Sequence, residues 1–160
     1  MFDQFAECVG SLLKSFHSAI LPSLEPLLAF IVPLLDKNRS PAERRIAICV
    51  FDDIFEHASD GGGALKYLDG FVSPCIAGCT DNDADVRQAS VYGVGVMSEH
   101  CGQSFNAHVP SALSALDQLP KLIIQTSRQT GGRLLAISLL EAAPGVFNVD
   151  RIAVVSKWAI

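Results

Sequence analysis

The sequence predicts an all-α fold, a solenoid built from antiparallel helix pairs. Three observations carry that expectation. Apolar residues recur at spacings of three and four, and no stretch alternates with the period of two that a strand requires. Proline-bearing helical segments alternate with arginine-bearing ones, with turn residues between them. The chain also resembles itself: moved by 42 positions, SPAERRIAICVFDDIFEHAS (Ser40 to Ser59) falls under TDNDADVRQASVYGVGVMSEHC (Thr80 to Cys101). Arg45 then meets Arg87, Ala47 meets Ala89, and Ile54 and Phe55 meet Val96 and Met97. Self-similarity at roughly 40 to 47 residues is the signature of paired-helix repeats.

Residues 1–18 place Phe2, Phe5, Val9, Leu12, Leu13 and Phe16 at helical spacing, on one wide face. A second helix fits Leu21 to Leu35, with Pro22 in its first turn. Pro26 and Pro33 lie further in, where a ring bends a helix or delays its start. DKNRSP is a turn. Ser40 is placed as N-cap, Pro41 at the first helical position and Glu43 for a capping box. The helix from Pro41 to Ala58 presents Ala47, Val50, Phe51, Ile54 and Ala58 as one stripe, with Arg45, Asp52 and Glu56 on the opposite side. Gly61-Gly62-Gly63 stops it.

Leu65 to Cys79 forms the next helix, interrupted by Pro74, and Asp83 to Cys101 follows it, ended by Gly102. Ala89, Ser90, Gly93 and Met97 share one face of that second helix. Gly93 and Gly95 cost about 1 kcal/mol each in a helix interior relative to alanine, and close approach of a neighbouring helix is the usual reason to keep them there. Pro110 opens a further helix reaching toward Ile124. QTSRQTGG is a polar break, Arg133 to Ala143 a short apolar helix, and Arg151 to Ile160 the start of one more. The whole of 1–160 reads as one segment of about three and a half repeats, apolar at both ends and cut from a longer solenoid.

At 160 residues, 49% hydrophobic and 18% charged, the chain has ample material for an apolar interior. A net charge of -5 with 12 scattered basic residues argues against nucleic acid and for basic protein partners. Five cysteines (Cys8, Cys49, Cys75, Cys79, Cys101) without a disulfide-framework spacing point to a reducing compartment. Leu27 to Leu35, the longest apolar stretch, is half a bilayer span and contains a proline, so membrane insertion is not expected. Cys75 and Cys79 stand one helical turn apart without the spacing of a zinc site, and no nucleophile motif accompanies any of the four histidines. No cofactor, metal or catalytic role is expected. Asp53 and His57 are placed for a contact one turn apart on a helix.

Pro74, Asp81 and Val86-Arg87 together resemble a HEAT repeat: a proline bends the first helix, and an acidic turn leads into a second helix opened by Val-Arg. In that pattern Asp81 accepts backbone amides and pairs with Arg87, with Arg45 and Arg87 as ladder residues at the repeat period. FAECVGSLLKSF, AERRIAICVFDDIFEHAS and DNDADVRQASVYGVGVMSEHCG extend the resemblance to the importin-β (karyopherin-β) superfamily. The likeness is to the C-terminal half of its importin-5-like members and covers about Phe2 to Leu116. KLIIQTSRQTGG departs from the family pattern, and AAPGVFNVDRIAVV follows it only loosely.

What the resemblance implies is a fragment of a nuclear import receptor moving between cytoplasm and nucleus. Such receptors wrap basic cargo, with its nuclear localisation signals, ribosomal proteins or histones, in a concave face lined by the second helix of each repeat. Ran in its GTP form releases the cargo, and phenylalanine-glycine nucleoporins guide passage. The family's main Ran and nucleoporin sites lie nearer the N-terminus of the receptor than these repeats. On the implied concave face stand Asp52, Asp53 and Glu56, then Asp83, Asp85 and Glu99. Carboxylates one turn apart can bracket a Lys or Arg side chain. Asp83 and Asp85 also favour a helix N-terminus for its own sake. The alternative expectation is a HEAT-repeat scaffold that holds a protein partner without transport.

Overall fold

The computed structural model describes residues 2–119, all but the turns of it helical, and among the described residues there is no strand. The fold is all-α. Six α-helices follow in order: α1 (Phe2–Phe16), α2 (Leu21–Ile31), α3 (Pro41–His57), α4 (Leu68–Gly78), α5 (Ala84–His100) and α6 (Val109–Leu116). Short 3-10 segments extend or precede several of them: His17–Ile20, Val32–Leu35, Asp60–Gly62, Leu65–Tyr67 and Gly102–His108. The break QTSRQTGG, the helices expected at Arg133–Ala143 and Arg151–Ile160, and the extension toward Ile124 lie outside the described residues.

Local chemistry sets the boundaries. Ser40 caps α3 in a full capping box, with Ser40 N donating to Glu43 Oε2 at 2.9 Å and Glu43 N donating to Ser40 Oγ at 3.3 Å. Asp83 caps α5 by accepting from Asp85 N at 3.0 Å and Val86 N at 3.1 Å. Gly102 ends α5 with φ +52°, the left-handed turn a side chain resists. Pro26 and Pro74 are both accommodated inside α2 and α4, while Pro33 falls in the 3-10 turn that closes α2.

α3 is the central element. It packs on α1 along one flank and on α5 along the other, and α4 packs on α5 and α6. Leu13 of α1, Ile54 of α3 and Met97 of α5 are fully buried along this row. Behind it Phe71 of α4 stacks on Phe51 at 4.9 Å and on Phe55 at 5.6 Å between ring centres. Each such side chain contributes about 1.5–3 kcal/mol on burial. The stripe expected on α3 is the buried one: Ala47, Val50, Phe51, Ile54 and Ala58 are all at most 2% exposed. On α1 the Val9–Leu13 edge is buried and Phe5 and Ala6 are half-buried against the core. Leu12 and Phe16, expected on the same wide face, are exposed, because α3 reaches only one side of that helix.

The caps correct the repeat offset. Ser40 and Asp83 are the equivalent starts of α3 and α5, so the helices align at 43 positions and not at 42. Under that offset fully buried Ala47 meets fully buried Ser90, Phe51 meets Val94, and Ile54 meets Met97. Arg87 then corresponds to Arg44, the neighbour of Arg45.

Gln4–Leu35 is long and apolar enough to cross a bilayer by length and composition. Two helices share it, of 15 and 11 residues, and each is shorter than the roughly 20 residues a span needs. His17, with φ +51°, breaks the run between them.

Candidate functional site

The candidate carboxylates lie on α3 and α5, and the structure separates them sharply. Asp52 is buried, at 3% exposure, and does not face solvent. It lies against α5 at Gly93, where a Cβ would stand 2.2 Å from Asp52 Oδ1 and 2.9 Å from Cys75 Sγ of α4. Its Oδ1 has no hydrogen-bond partner. Burial, with Asp53 and Glu56 nearby, pushes its carboxyl well above the usual range. Asp52 is therefore no surface acid. The stripe Arg45–Asp52–Glu56 is opposite the apolar one on a helical wheel, but α3 is flanked on both sides, and the flank toward α5 is closed.

Asp53 points the other way, toward α1. A Cβ at Gly10 would stand 2.6 Å from Asp53 Oδ2, so the carboxylate rests on the bare backbone of α1. It is half-buried. Desolvation raises its pKa to about 6, against the pull of Lys14 on α1 and with a further push from Glu56. His57 Nε2 lies 3.8 Å from Asp53 Oδ1. Burial lowers the imidazole's pKa, so at neutral pH this is a neutral ring beside a carboxylate more than an ion pair. Ala6, Glu7, Gly10, Ser11, Lys14, Arg45, Cys49 and Asp53 line the groove between α1 and α3.

Glu56 is half-buried and accepts a hydrogen bond from the Tyr92 phenol of α5. Glu99 is exposed and occupies in α5 the place that Glu56 occupies in α3, counted from the caps. The histidines His57 and His100 are equivalent in the same way. His17 Nδ1 sits 2.9 Å from the His57 carbonyl oxygen, a contact that places the proton on Nδ1, because a carbonyl can only accept. Asp53, Glu56 and Glu99 all lie toward the C-terminal ends of their helices, where the helix dipoles add partial negative charge, with Asp53 turned to α1 and Glu56 to α5. Asp85 is exposed in the first turn of α5, about 21 Å of helix away from Glu99, and does not join them.

The ladder residues also differ from expectation. Arg87 Nη1 donates to the backbone carbonyls of Asp81 at 2.7 Å and Asn82 at 2.9 Å, so it fixes the turn without using the Asp81 carboxylate. That carboxylate accepts Asp83 N at 2.9 Å, as expected of the turn, and its ion-pair partner is Arg44 of α3. Arg45 is half-buried and lines the groove against α1. Pro74 lies inside α4 as expected.

Arg44, Tyr92 and Lys14 are the residues that sequence reasoning missed. Arg44 was detectable from the capping residues, since it stands four positions after Ser40 as Arg87 stands four after Asp83. Nothing in the sequence marks Tyr92 or Lys14 as partners of Glu56 and Asp53.

Cys75 and Cys79 are buried thiols. Desolvation raises the pKa of Cys79 to about 12 and pushes Cys75 up as well, so neither is a ready nucleophile. Among the described residues no three His, Cys, Asp or Glu side chains converge as a metal site requires. No known protein-family model matches the chain.

Proposed function

We propose that the chain is a HEAT-repeat segment of a nuclear import receptor that holds a basic protein segment on the acids at the C-terminal ends of α3 and α5. The observation that carries this reading is the repetition of Glu56 by Glu99 at the same helix position, with Asp53 one flank away on α3. Carboxylates recurring from one helix to its neighbour offer a row of acceptors to successive Lys or Arg side chains. The flanking of α3 by α1 and α5 supports a solenoid, in which each helix pair packs on its neighbours. The role proposed is non-catalytic, in cytoplasm and nucleus, with cargo release by Ran-GTP and nucleoporin contacts belonging to a longer receptor.

One observation favours the scaffold reading instead. Glu56 is engaged by Tyr92 and Asp53 is offset by Lys14, so the face carries less free charge than its carboxylates suggest.

The test is capture of a lysine-rich histone tail or ribosomal protein on the immobilised chain across a salt series, with and without Ran loaded with GTP. The variant Asp53→Asn/Glu56→Gln/Glu99→Gln is run beside it. Salt-sensitive capture lost in the variant supports binding on these acids, and release by Ran supports transport. Capture indifferent to Ran favours the scaffold. Capture unchanged in the variant, or none at all, removes the proposed site.

A further inference from the structure

Asp52 is the one acid of the α3 group that the proposed binding face does not use. It sits in mid-helix on the α5 flank of α3, 97% removed from solvent, and Gly93 opposite it lets the backbone of α5 approach its carboxyl. Its Oδ1 has no hydrogen-bond partner, and the charged groups that act on it among the described residues are acids. Its own helix contributes Asp53 and Glu56, both acidic, and two turns back Arg45, which lines the groove against α1; α4 and its C-cap contribute the thiols of Cys75 and Cys79. Tyr92 faces it from α5 as a neutral phenol held by Glu56. Lys14, the nearest base on α1, addresses Asp53. The Val32–Leu35 turn packed on α3 carries no ionisable side chain.

An ionised carboxylate in such a place would lose its hydration without gaining a counter-charge. A neutral carboxyl forgoes at most one or two hydrogen bonds. The α3–α5 contact therefore closes on the protonated form.

We propose that Asp52 is a proton-held latch: its carboxyl stays neutral while α3 and α5 are in contact, and loss of its proton releases that contact. On release the carboxyl O–H bond breaks, its electron pair stays on the carboxylate, and the proton passes to solvent. Closure takes one proton back. The upward pKa shift of this carboxyl has the same sense. The device goes beyond cargo binding and needs none.

The linkage gives a direction. In the open or unfolded chain Asp52 ionises near the ordinary carboxylate value, and in the closed chain only far above it. The closed state therefore binds one more proton, and its stability falls as pH rises between those two values. Between pH 7 and 8 Asp53 and the histidines of an unfolded chain have largely lost their protons, and the thiols of that chain have not yet done so in the main.

The test is amide hydrogen exchange of α3 and α5 over that window, corrected for intrinsic rates, in the wild-type chain, in Asp52→Asn and in Asp53→Asn. Wild type and Asp53→Asn should lose protection by up to about tenfold per pH unit, as release of one proton requires. Asp52→Asn should be flat and better protected at pH 8. Equal slopes in wild type and Asp52→Asn, or no slope in wild type, would overturn the latch. Should Asp52→Asn fail to fold, the side-chain carboxyl carbon of Asp52 in isotope-labelled wild-type protein decides the matter. A protonated shift at pH 7 upholds the proposal, and an ionised shift ends it.

Discussion

Arg44 of α3 and Asp81 of the turn before α5 form an ion pair across 37 residues of sequence. Arg44 Nη2 lies 2.9 Å from both carboxylate oxygens, with both side chains mostly shielded. Arg44 Nη1 meanwhile donates to the carbonyls of Lys37 and Arg39, in the turn that precedes its own helix. One guanidinium thus joins two successive turns. Removing it strips a charge-assisted pair and leaves two carbonyls without this donor, so Arg44→Met should cost about 2 kcal/mol. Arg44→Lys should recover only part of that, because an ammonium cannot reproduce the fork. Urea midpoints of the two variants check this, and equal stability of Arg44→Met and wild type would refute it.

Gly93 is predicted to be intolerant of a single methyl group. An alanine there gains about 1 kcal/mol of helix propensity. Its Cβ would nevertheless meet Asp52 Oδ1 and Cys75 Sγ well inside contact distance, and both are held in the core. Overpacking of this kind costs about 1–3 kcal/mol, so Gly93→Ala should be destabilising on balance. The same substitution in an Asp52→Ala background should cost less, because the clashing carboxyl group is gone. A double-mutant cycle measures that coupling, and strict additivity would show that Asp52 is not the obstacle.

These two sites show where sequence reading reaches and where it stops. The capping box at Ser40, the buried stripe of α3 and the stop at Gly102 are local, set by residues within a turn or two, and all were legible. The exposure of Asp52 was not, because the helical wheel describes one helix and α3 is flanked by two. The signal lay elsewhere, in Gly93, whose cost already implied a close neighbour. The offset of 42 against 43 failed for a related reason. Adjacent arginines at 44 and 45 let either offset match Arg87, and only the caps at Ser40 and Asp83 reveal which arginines correspond. The pairing of Glu56 with Tyr92 depends on how α3 and α5 face each other, which no spacing encodes.

Asp53 should make stability fall with pH on the acid side of neutrality. Its folded pKa is raised to about 6 by desolvation, so its favourable contribution is complete below the unfolded value and is lost as pH rises toward 6. The stability of wild type relative to Asp53→Asn should decline over that interval and level off above it. Lys14→Met removes a cation that restrains the shift, and should carry the decline to higher pH. Denaturant midpoints from pH 4 to 7 provide the comparison; a difference that does not vary with pH would contradict the prediction.

Asp60 should behave with the opposite sign. It lies just beyond α3 and reaches back 42 residues to Ser18, accepting Ser18 N at 2.9 Å on Oδ1 and Ser18 Oγ at 2.6 Å on Oδ2. Those two donors hold its pKa below the usual carboxylate value. The folded chain therefore binds fewer protons at this site than the unfolded chain does. Its contribution is present above the unfolded value, near 3.8, and is lost as pH falls through the lowered folded one. Asp60→Asn keeps one acceptor oxygen but loses the charge, so it should lower the melting temperature at pH 7 and have a smaller effect at pH 3. Ser18→Ala removes the hydroxyl donor and leaves the backbone one, and should produce a weaker loss of the same pH dependence. Since Ser18 precedes α2 and Asp60 follows α3, the two variants also report whether the ends of successive helix pairs are tied. Local exchange at Ser18 N rising in Asp60→Asn, with α5 unaffected, is the expected pattern. Unchanged exchange at that amide would place the effect outside this contact.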